Sequence, residues 1–565
     1  MPRFPLRSPA GLALLLMLLT ALLWWLPNRP RGGEDAAAAS LAGERFNSVS
    51  FAPFRPGQSP LRDRFPRAAQ VEEDVALLAP RVRALRTYAA IEGEYEVAEI
   101  AARHGLKLWM GAWLGQDRRQ NEREIARLVE TANRHPQTVE RVVVGNEVLL
   151  RRDLPAAELA AALDRVRAAV RQPVTYADVW EFWLQFPELA RHVDIVTVHI
   201  LPYWEDEPTG IDAAMAHARD VIRQVRAAFP GKPIAIGEIG WPSRGRWRAD
   251  AAPSRVDQAV FLRRFMGLAA EEGLDYNLIE AFDQVWKYKS EGTVGAAWGL
   301  FTADRRPKFP MAGAVVENPD WPLYAGAAAL LGLGLWLGAL RSFPAAGRVG
   351  LPVLGFALGN ALAFAWCGTV PYAFDEHLRL AAVANLAGQG LLALLLLRRA
   401  AMRLSGLALE PPRSGAQATE TVRMLLRGRL AWRGWRGFAF EDLLFVFLWT
   451  AAVLQLLLLF DPRYRDFPTA TFAVPLVAVA ARALLRDLPR GGAGREEWWL
   501  GGTLALAAVA SAVREGPENL QALGWSLCAL ALAAPPLLRC LGGLRRLPAA
   551  ASPGIEAAEP QRGGL

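Results

Sequence analysis

VERVVVGNE, residues 139–147, decides the reading of this chain: four Val fall within six residues, followed by Gly145, Asn146 and Glu147. β-Branched side chains are stiff at χ1 and favour a pleated strand. Consecutive apolar positions mean that both faces are covered, as in a parallel sheet flanked by helices rather than a half-solvated sandwich. Working outward, the same kind of stretch recurs as FNSVSFAPF (46–54), RVRALRTYA (81–89), LKLWMGAWLG (106–115), PVTYADVW (173–180), VDIVTVHILPYW (193–204), KPIAIGEIGW (232–241) and LDYNLIEAFDQVW (274–286). Between them, NEREIARLVETANRH (121–135) and AAELAAALDRVRAAVRQ (156–172) place apolar residues at helical spacing. Eight strands in about 240 residues, alternating with helices, are the count and size of a (β/α)8 TIM barrel.

The barrel accounts for roughly half of the 565 residues. A composition that is 52% hydrophobic excludes a disordered chain. The formal net charge is +8, yet residues 27–320 hold 39 Lys and Arg against 41 Asp and Glu, a balance of −2, which leaves +10 to the rest. The basic excess thus travels with long apolar runs and reads as membrane topology, not nucleic-acid binding. Those runs are Trp321–Leu340, Gly350–Gly368, Leu380–Leu397, Leu443–Phe460, Trp499–Val513 and Leu520–Leu538, with a weaker seventh at Thr469–Leu485. An eighth, Ala10–Leu26, follows Arg3 and Arg7 and reads as an uncleaved anchor; the small residues of DAAAASLAGE (35–44) lie too far beyond it for a signal peptide.

Arginines fall on alternate loops: Arg341 and Arg348; then Arg398, Arg399, Arg403, Arg413, Arg423, Arg427, Arg429, Arg433 and Arg436; then Arg486, Arg490 and Arg495. TVPYAFDE (369–376) and REGPEN (514–519) are neutral to acidic. One orientation satisfies every loop, with both termini inside and residues 27–320 outside. The expected organisation is an N-terminal anchor over 1–30, an α/β barrel over 44–312, an α-helical multi-pass transmembrane domain of about seven helices over 321–541 and a flexible cytoplasmic tail over 542–565. All three cysteines lie in or beside apolar runs, so they say nothing of a disulfide framework.

Barrel chemistry sits at the C-terminal ends of the strands. There the sequence concentrates Asn146 and Glu147 on strand four and Glu238 on strand seven. His199, Tyr203 and Trp204 follow strand six; Tyr88 and Tyr176 lie on strands two and five; Glu280, Asp283, Trp286 and Lys287 close strand eight. Two carboxyl groups facing each other suit glycoside cleavage, one protonating the departing oxygen while the other attacks the anomeric carbon. Trp109, Trp113, Trp180, Trp183, Trp204, Trp241 and Trp286 offer flat faces for sugar rings. Six scattered His without ligand spacing, and no Gly-rich phosphate loop, lead us to expect neither a metal nor a cofactor.

At these residues the sequence resembles glycoside hydrolase family 17, within the clan of retaining barrel glycosidases. VVVGNEVL (142–149) is similar to that family's strand-four motif, IGEIGWPS (236–243) to its nucleophile motif, EAFDQVWK (280–287) to its strand-eight motif, and LWMGAWLG (108–115) also matches. The resemblance implies that Glu147 is the acid/base, Glu238 the nucleophile and Asn146 the holder of the sugar 2-hydroxyl. Tyr176, His199, Tyr203, Trp241, Glu280 and Lys287 match positions that shape the cleft, and Tyr88 and Trp286 join that substrate-binding set; His199 also reads as a hydrogen-bonded histidine beneath the site. Many relatives have Asp-Glu-Pro-Trp-Lys where this chain has Asp283-Gln284-Val285-Trp286-Lys287. The resemblance implies action on β-1,3-glucans, and bacterial proteins that join such a domain to membrane segments look like enzymes of periplasmic β-1,6-glucan formation. Expected partners are a β-glucan oligo- or polysaccharide, membrane lipid and a glucan synthase or exporter, at the bacterial inner membrane. A competing class is a glycan-binding membrane transport or sensing protein with a non-catalytic barrel, its path lined by Asn360, Asn385, Gln389 and Gln455.

Overall fold

The computed structural model describes residues 9–32, 45–342, 349–407, 423, 426–427, 440–487 and 494–544. Arg3, Arg7, Arg348, Arg413, Arg429, Arg433, Arg436, Arg490, the stretch 35–44 and the tail from residue 545 lie outside the described residues.

Eight parallel strands close into a barrel in sequence order: β1 Phe46–Ser50, β2 Val82–Arg86, β3 Lys107–Ala112, β4 Val139–Asn146, β5 Val174–Val179, β6 Ile195–Ile200, β7 Ile234–Ile239 and β8 Asp275–Leu278. Each falls inside the stretch expected from its composition. The Val run of β4 shows why. Val143 points inward, where it packs with Ala84, Trp109 and Ala177, whereas Val142 and Val144 join the larger core between sheet and helices. All three are essentially buried, and each such side chain contributes roughly 1.5–3 kcal/mol relative to exposure.

The helices, in chain order, are α1 Pro9–Trp25, α2 Ala68–Leu78, α3 Val97–Arg103, α4 Arg118–Arg134, α5 Ala156–Ala169, α6 Trp180–Gln185, α7 Ala214–Ala228, α8 Arg255–Glu272, α9 Tyr288–Gly295, α10 Trp321–Ser342, α11 Gly350–Thr369, α12 Glu376–Leu404, α13 Phe440–Phe460, α14 Ala473–Leu484, α15 Arg495–Glu515 and α16 Leu520–Leu544. Every apolar run named above forms a helix. Among the described residues five helices are long and apolar enough to cross a membrane: Trp321–Arg341, Gly350–Tyr372, Glu376–Leu404, Phe440–Phe460 and Leu520–Arg539. Of the other three, α1 and α14 are shorter, and α15 opens on the charged residues Arg495, Glu496 and Glu497.

The isolated polar residues of this helical part hold helices together. Asn360 accepts from the Trp24 indole at 3.0 Å and donates to Thr20 at 3.0 Å, tying α1 to α11. Asn385 donates to the Thr471 carbonyl at 3.1 Å, and Gln389 donates to Asn385 at 2.8 Å and to the Ala470 carbonyl at 3.2 Å. Gln455 on α13 donates to Ser511 on α15 at 2.6 Å and accepts from Trp525 on α16 at 2.6 Å. Amides used this way satisfy each other between apolar helices.

The barrel rests on one end of the helical part. Arg246, nearly buried, donates to the Arg465 carbonyl at 2.9 Å and pairs with Glu515. Lys289 pairs with Asp375 at 3.2 Å, the Tyr288 ring meets Phe374 at 4.6 Å, and Asn519 donates to the Trp247 carbonyl at 3.1 Å. These partners lie at the end of α15 and in the segments after α11, α13 and α15, which include the two arginine-poor loops.

Candidate active site

Glu147 stands one residue past β4 with its backbone in the left-handed region, φ 52°. Gly145, two residues earlier, has φ 85°, and a Cβ there would come within 2.7 Å of Val148 Cγ2. This turn lets the strand end sharply and aims Glu147 across the mouth. Its amide donates to the Ala177 carbonyl of β5 at 2.8 Å, which fixes the turn to the next strand.

Glu238 is on β7 and almost wholly enclosed. Its Oε1 accepts from Arg86 Nη1 at 3.0 Å and from the Tyr88 hydroxyl at 2.8 Å. Burial opposes ionisation of this carboxyl, but His199, the Arg86 guanidinium, the Tyr88 hydrogen bond and Lys287 outweigh it and hold the group below its ordinary carboxylate range. Arg86 also donates to the Gly237 carbonyl at 2.7 Å and to Asn146 Oδ1 at 2.6 Å, joining the ends of β2, β4 and β7. Asn277 of β8 continues the network, donating to Ser50 at 2.8 Å and to the Gly237 carbonyl at 2.9 Å; the Ser50 hydroxyl lies 2.9 Å from that of Tyr88.

His199, fully buried at the end of β6, stands between the two acids. Its Nδ1 is 2.9 Å from Glu147 Oε1, and its Nε2 is 3.8 Å from Glu238 Oε1. One donor atom from each of Glu147, His199 and Glu238 lies within 4.8 Å of the other two, close enough to reach a single cation. The histidine is therefore hydrogen-bonded to Glu147 and within ion-pair distance of Glu238, its Nε2 making no hydrogen bond.

Lys287 donates to both carboxylate oxygens of Glu280 at 3.2 Å. Burial pushes the Glu280 carboxyl up to about 7 against the pull of Lys287, while Glu280 and its acidic neighbours outweigh the burial of Lys287 and raise its ammonium. Gln284, in place of the resembled family's Glu, is buried and uses its donors on the carbonyls of Ala52 at 2.7 Å and Phe282 at 3.0 Å, while its oxygen accepts from the Trp286 indole at 2.8 Å. A carboxylate could not donate those two bonds.

Tyr176, Tyr203 and Trp241, expected to shape the cleft, are each about 1% exposed, as buried as His199 and Glu280. Tyr176 donates to Asp178 and accepts from the Leu149 amide at 3.0 Å, Tyr203 donates to the Arg246 carbonyl at 2.6 Å, and Trp241 donates to the Ala252 carbonyl at 3.1 Å. Trp109 and Trp183 belong to the core as well, whereas Trp113, Trp180, Trp204 and Trp286 keep exposed surface. Sequence reasoning missed Arg86, Ser50, Asn277 and Asp178. An arginine within the apolar stretch RVRALRTYA was the one usable signal, since a charge buried on a barrel strand needs a partner inside.

Residues 48–299 match the BtgE/BtgC glycoside hydrolase domain. Over 252 residues the chain is 26% identical to a glucan 1,3-beta-glucosidase of Schizosaccharomyces pombe, spanning 42% of this chain and 78% of that protein. Over 258 residues it is 27% identical to a glucan 1,3-beta-glucosidase of Arthroderma benhamiae, spanning 43% and 83%. A solved glycoside hydrolase family 17 beta-1,3-glucanosyltransferase from Rhizomucor miehei aligns over 48% of this chain and 99% of its own at 24% identity, with a TM-score of 0.43. The barrel is an enzyme domain of the glycoside hydrolase class.

Proposed function

We propose that this chain is a membrane-anchored retaining glycosidase and transglucosylase acting on β-1,3-glucan, with its barrel on the outer, periplasmic side of a bacterial inner membrane and both termini inside. The observation that carries the reaction is the spacing of Glu147 and Glu238, whose donor atoms approach within 4.8 Å across the mouth. That gap supports direct attack by a carboxylate; an inverting enzyme separates its carboxyl groups by roughly 6.5–9.5 Å to admit a water.

In this reading Glu238, kept anionic by Arg86 and Tyr88, attacks the anomeric carbon. The bond from that carbon to the aglycone oxygen breaks, and Glu147 gives its proton to the departing oxygen. Glu147 then takes the proton of an incoming hydroxyl, whose oxygen displaces Glu238 and restores the original configuration. Water as acceptor gives hydrolysis, and a glucan hydroxyl gives transfer. His199 and Asn146 position the acids and the sugar, and Glu280 with Lys287 shapes the cleft floor. A tethered enzyme beside a glucan synthase or exporter serves β-(1,3)/(1,6)-glucan synthesis or remodelling by transfer. Contact of the barrel with the arginine-poor loops supports the proposed orientation, because those loops are the ones that the charge pattern puts outside.

Azide tests the assignment of the two acids. With an aryl glucoside, which needs little protonation to depart, azide restores turnover of Glu147→Ala and gives a glycosyl azide of retained configuration. In Glu238→Ala it enters from the opposite face and gives the inverted azide. An inverted azide from Glu147→Ala reverses the roles.

A further inference from the structure

Between α13 and α14 the loop DPRYRDFP (461–468) leaves the helical part and lies against the barrel mouth. Its Tyr464 ring stacks on Trp204, in the loop after β6, with centroids 6.0 Å apart and planes 24° from parallel. Asp466 accepts from the Thr293 hydroxyl, and Phe467 lies under the Arg246 guanidinium at 4.4 Å. The approach is tight at Gly292, where an added Cβ would collide with the Tyr464 carbonyl oxygen. Gly292 also has φ 69°, so that position is closed to other side chains on two counts.

This contact is at the active-site rim. Glu291, next to Gly292, is close enough to Lys287, Glu147 and Glu238 for their charges to act on its carboxyl, which burial raises. Trp204 is five residues beyond His199 and packs edge-on against Trp298 at 6.0 Å. Both Trp204 and Tyr464 keep part of their surface exposed. A pair of partly exposed, near-parallel rings at the edge of a sugar cleft offers flat apolar area with polar tips, the surface on which pyranose C–H faces pack.

We infer that the helical domain supplies part of the substrate site, Tyr464 and Trp204 together forming a stacking subsite for a glucan residue remote from the cleaved bond. The subsite takes a β-glucan chain and not a single glucose, and it rests on the carbohydrate reading given above. The helical domain is then a component of the enzyme's specificity as well as its anchor.

The test uses the full chain in detergent, with laminari-oligosaccharides of increasing length. Tyr464→Ala raises KM for the longer oligosaccharides about tenfold with a much smaller change in kcat, and flattens the dependence of KM on chain length; Tyr464→Phe, which keeps the ring, restores both. Release of the phenol from an aryl monoglucoside is followed in each variant. If the wild-type chain neither releases the phenol nor cleaves or elongates the oligosaccharides, the catalytic reading fails. If the wild-type chain acts on the oligosaccharides but Tyr464→Ala keeps the wild-type dependence on chain length, the subsite is refuted. Equal loss on the monoglucoside and the oligosaccharides, or failure of Tyr464→Phe to restore binding, also overturns it, since the loop would then be a brace for the barrel.

Discussion

At Glu238 one carboxylate oxygen collects the Arg86 guanidinium and the Tyr88 hydroxyl within 3.0 Å, so its charge is set by neighbours that act against burial. Its folded value lies below the unfolded one; the group therefore contributes stability above the unfolded value, and this is lost as pH falls through the folded value. Tyr88→Phe removes one donor and narrows that gap. We expect the acid limb of kcat/KM to move up by about one pH unit, equivalent to about 1.4 kcal/mol at the site, with stability at neutral pH reduced in the same sense. A pH–rate profile with an unmoved acid limb would show that Arg86 and His199 suffice. Glu147 carries a different burden, since a side chain at φ 52° costs roughly 1–2 kcal/mol that glycine does not incur. Glu147→Gly is therefore expected to be inactive yet more stable than Glu147→Ala by about 1 kcal/mol, reversing the usual order of the two residues. Denaturant titration of both variants measures it.

Among the elements, the strands were legible because every one is a short β-rich stretch between turn residues, and the carboxylates because they end such stretches. The side chains behind them were harder to see. In a closed barrel both faces of a strand are buried, so Ser50, Arg86 and Asn277 sit at positions that alternation cannot separate from core. The aromatic residues are no easier to sort, since Tyr176, Tyr203 and Trp241 are as buried as Trp109 and Trp183. The turn at Gly145, at the end of β4, was not legible in the sequence, because both its positive φ and the close approach of Val148 depend on how the strand end packs. Gly145→Ala is expected to cost about 1–3 kcal/mol and to misdirect Glu147. Thermal unfolding together with aryl-glucoside turnover checks this, and a variant with wild-type values for both would refute the account of the turn.

For the whole molecule, charge pattern and contacts point to one arrangement. A phosphatase fused after Leu407, in the arginine-rich segment, should be inactive, and one fused after Asp461 active; the opposite pair would overturn the proposed orientation. The union of the two parts was not legible, since DPRYRDFP reads as an ordinary polar loop and nothing in its composition names Trp204 as its partner. Arg246 is the central tie, and removing one member of such an enclosed ion pair costs roughly 3–5 kcal/mol. Arg246→Ala should therefore split a single calorimetric transition into two, one for the barrel and one for the helices. Because the loops after β6, β7 and β8 are engaged in this union, the mouth has one side built against the helices and one free side, and its height above the helices is fixed. With the chain embedded as proposed, catalyst and polymer meet in a plane instead of a volume. Turnover would then follow the number of enzymes per unit area of membrane, and a glucan strand would be trimmed or joined only within one barrel's reach of the lipid.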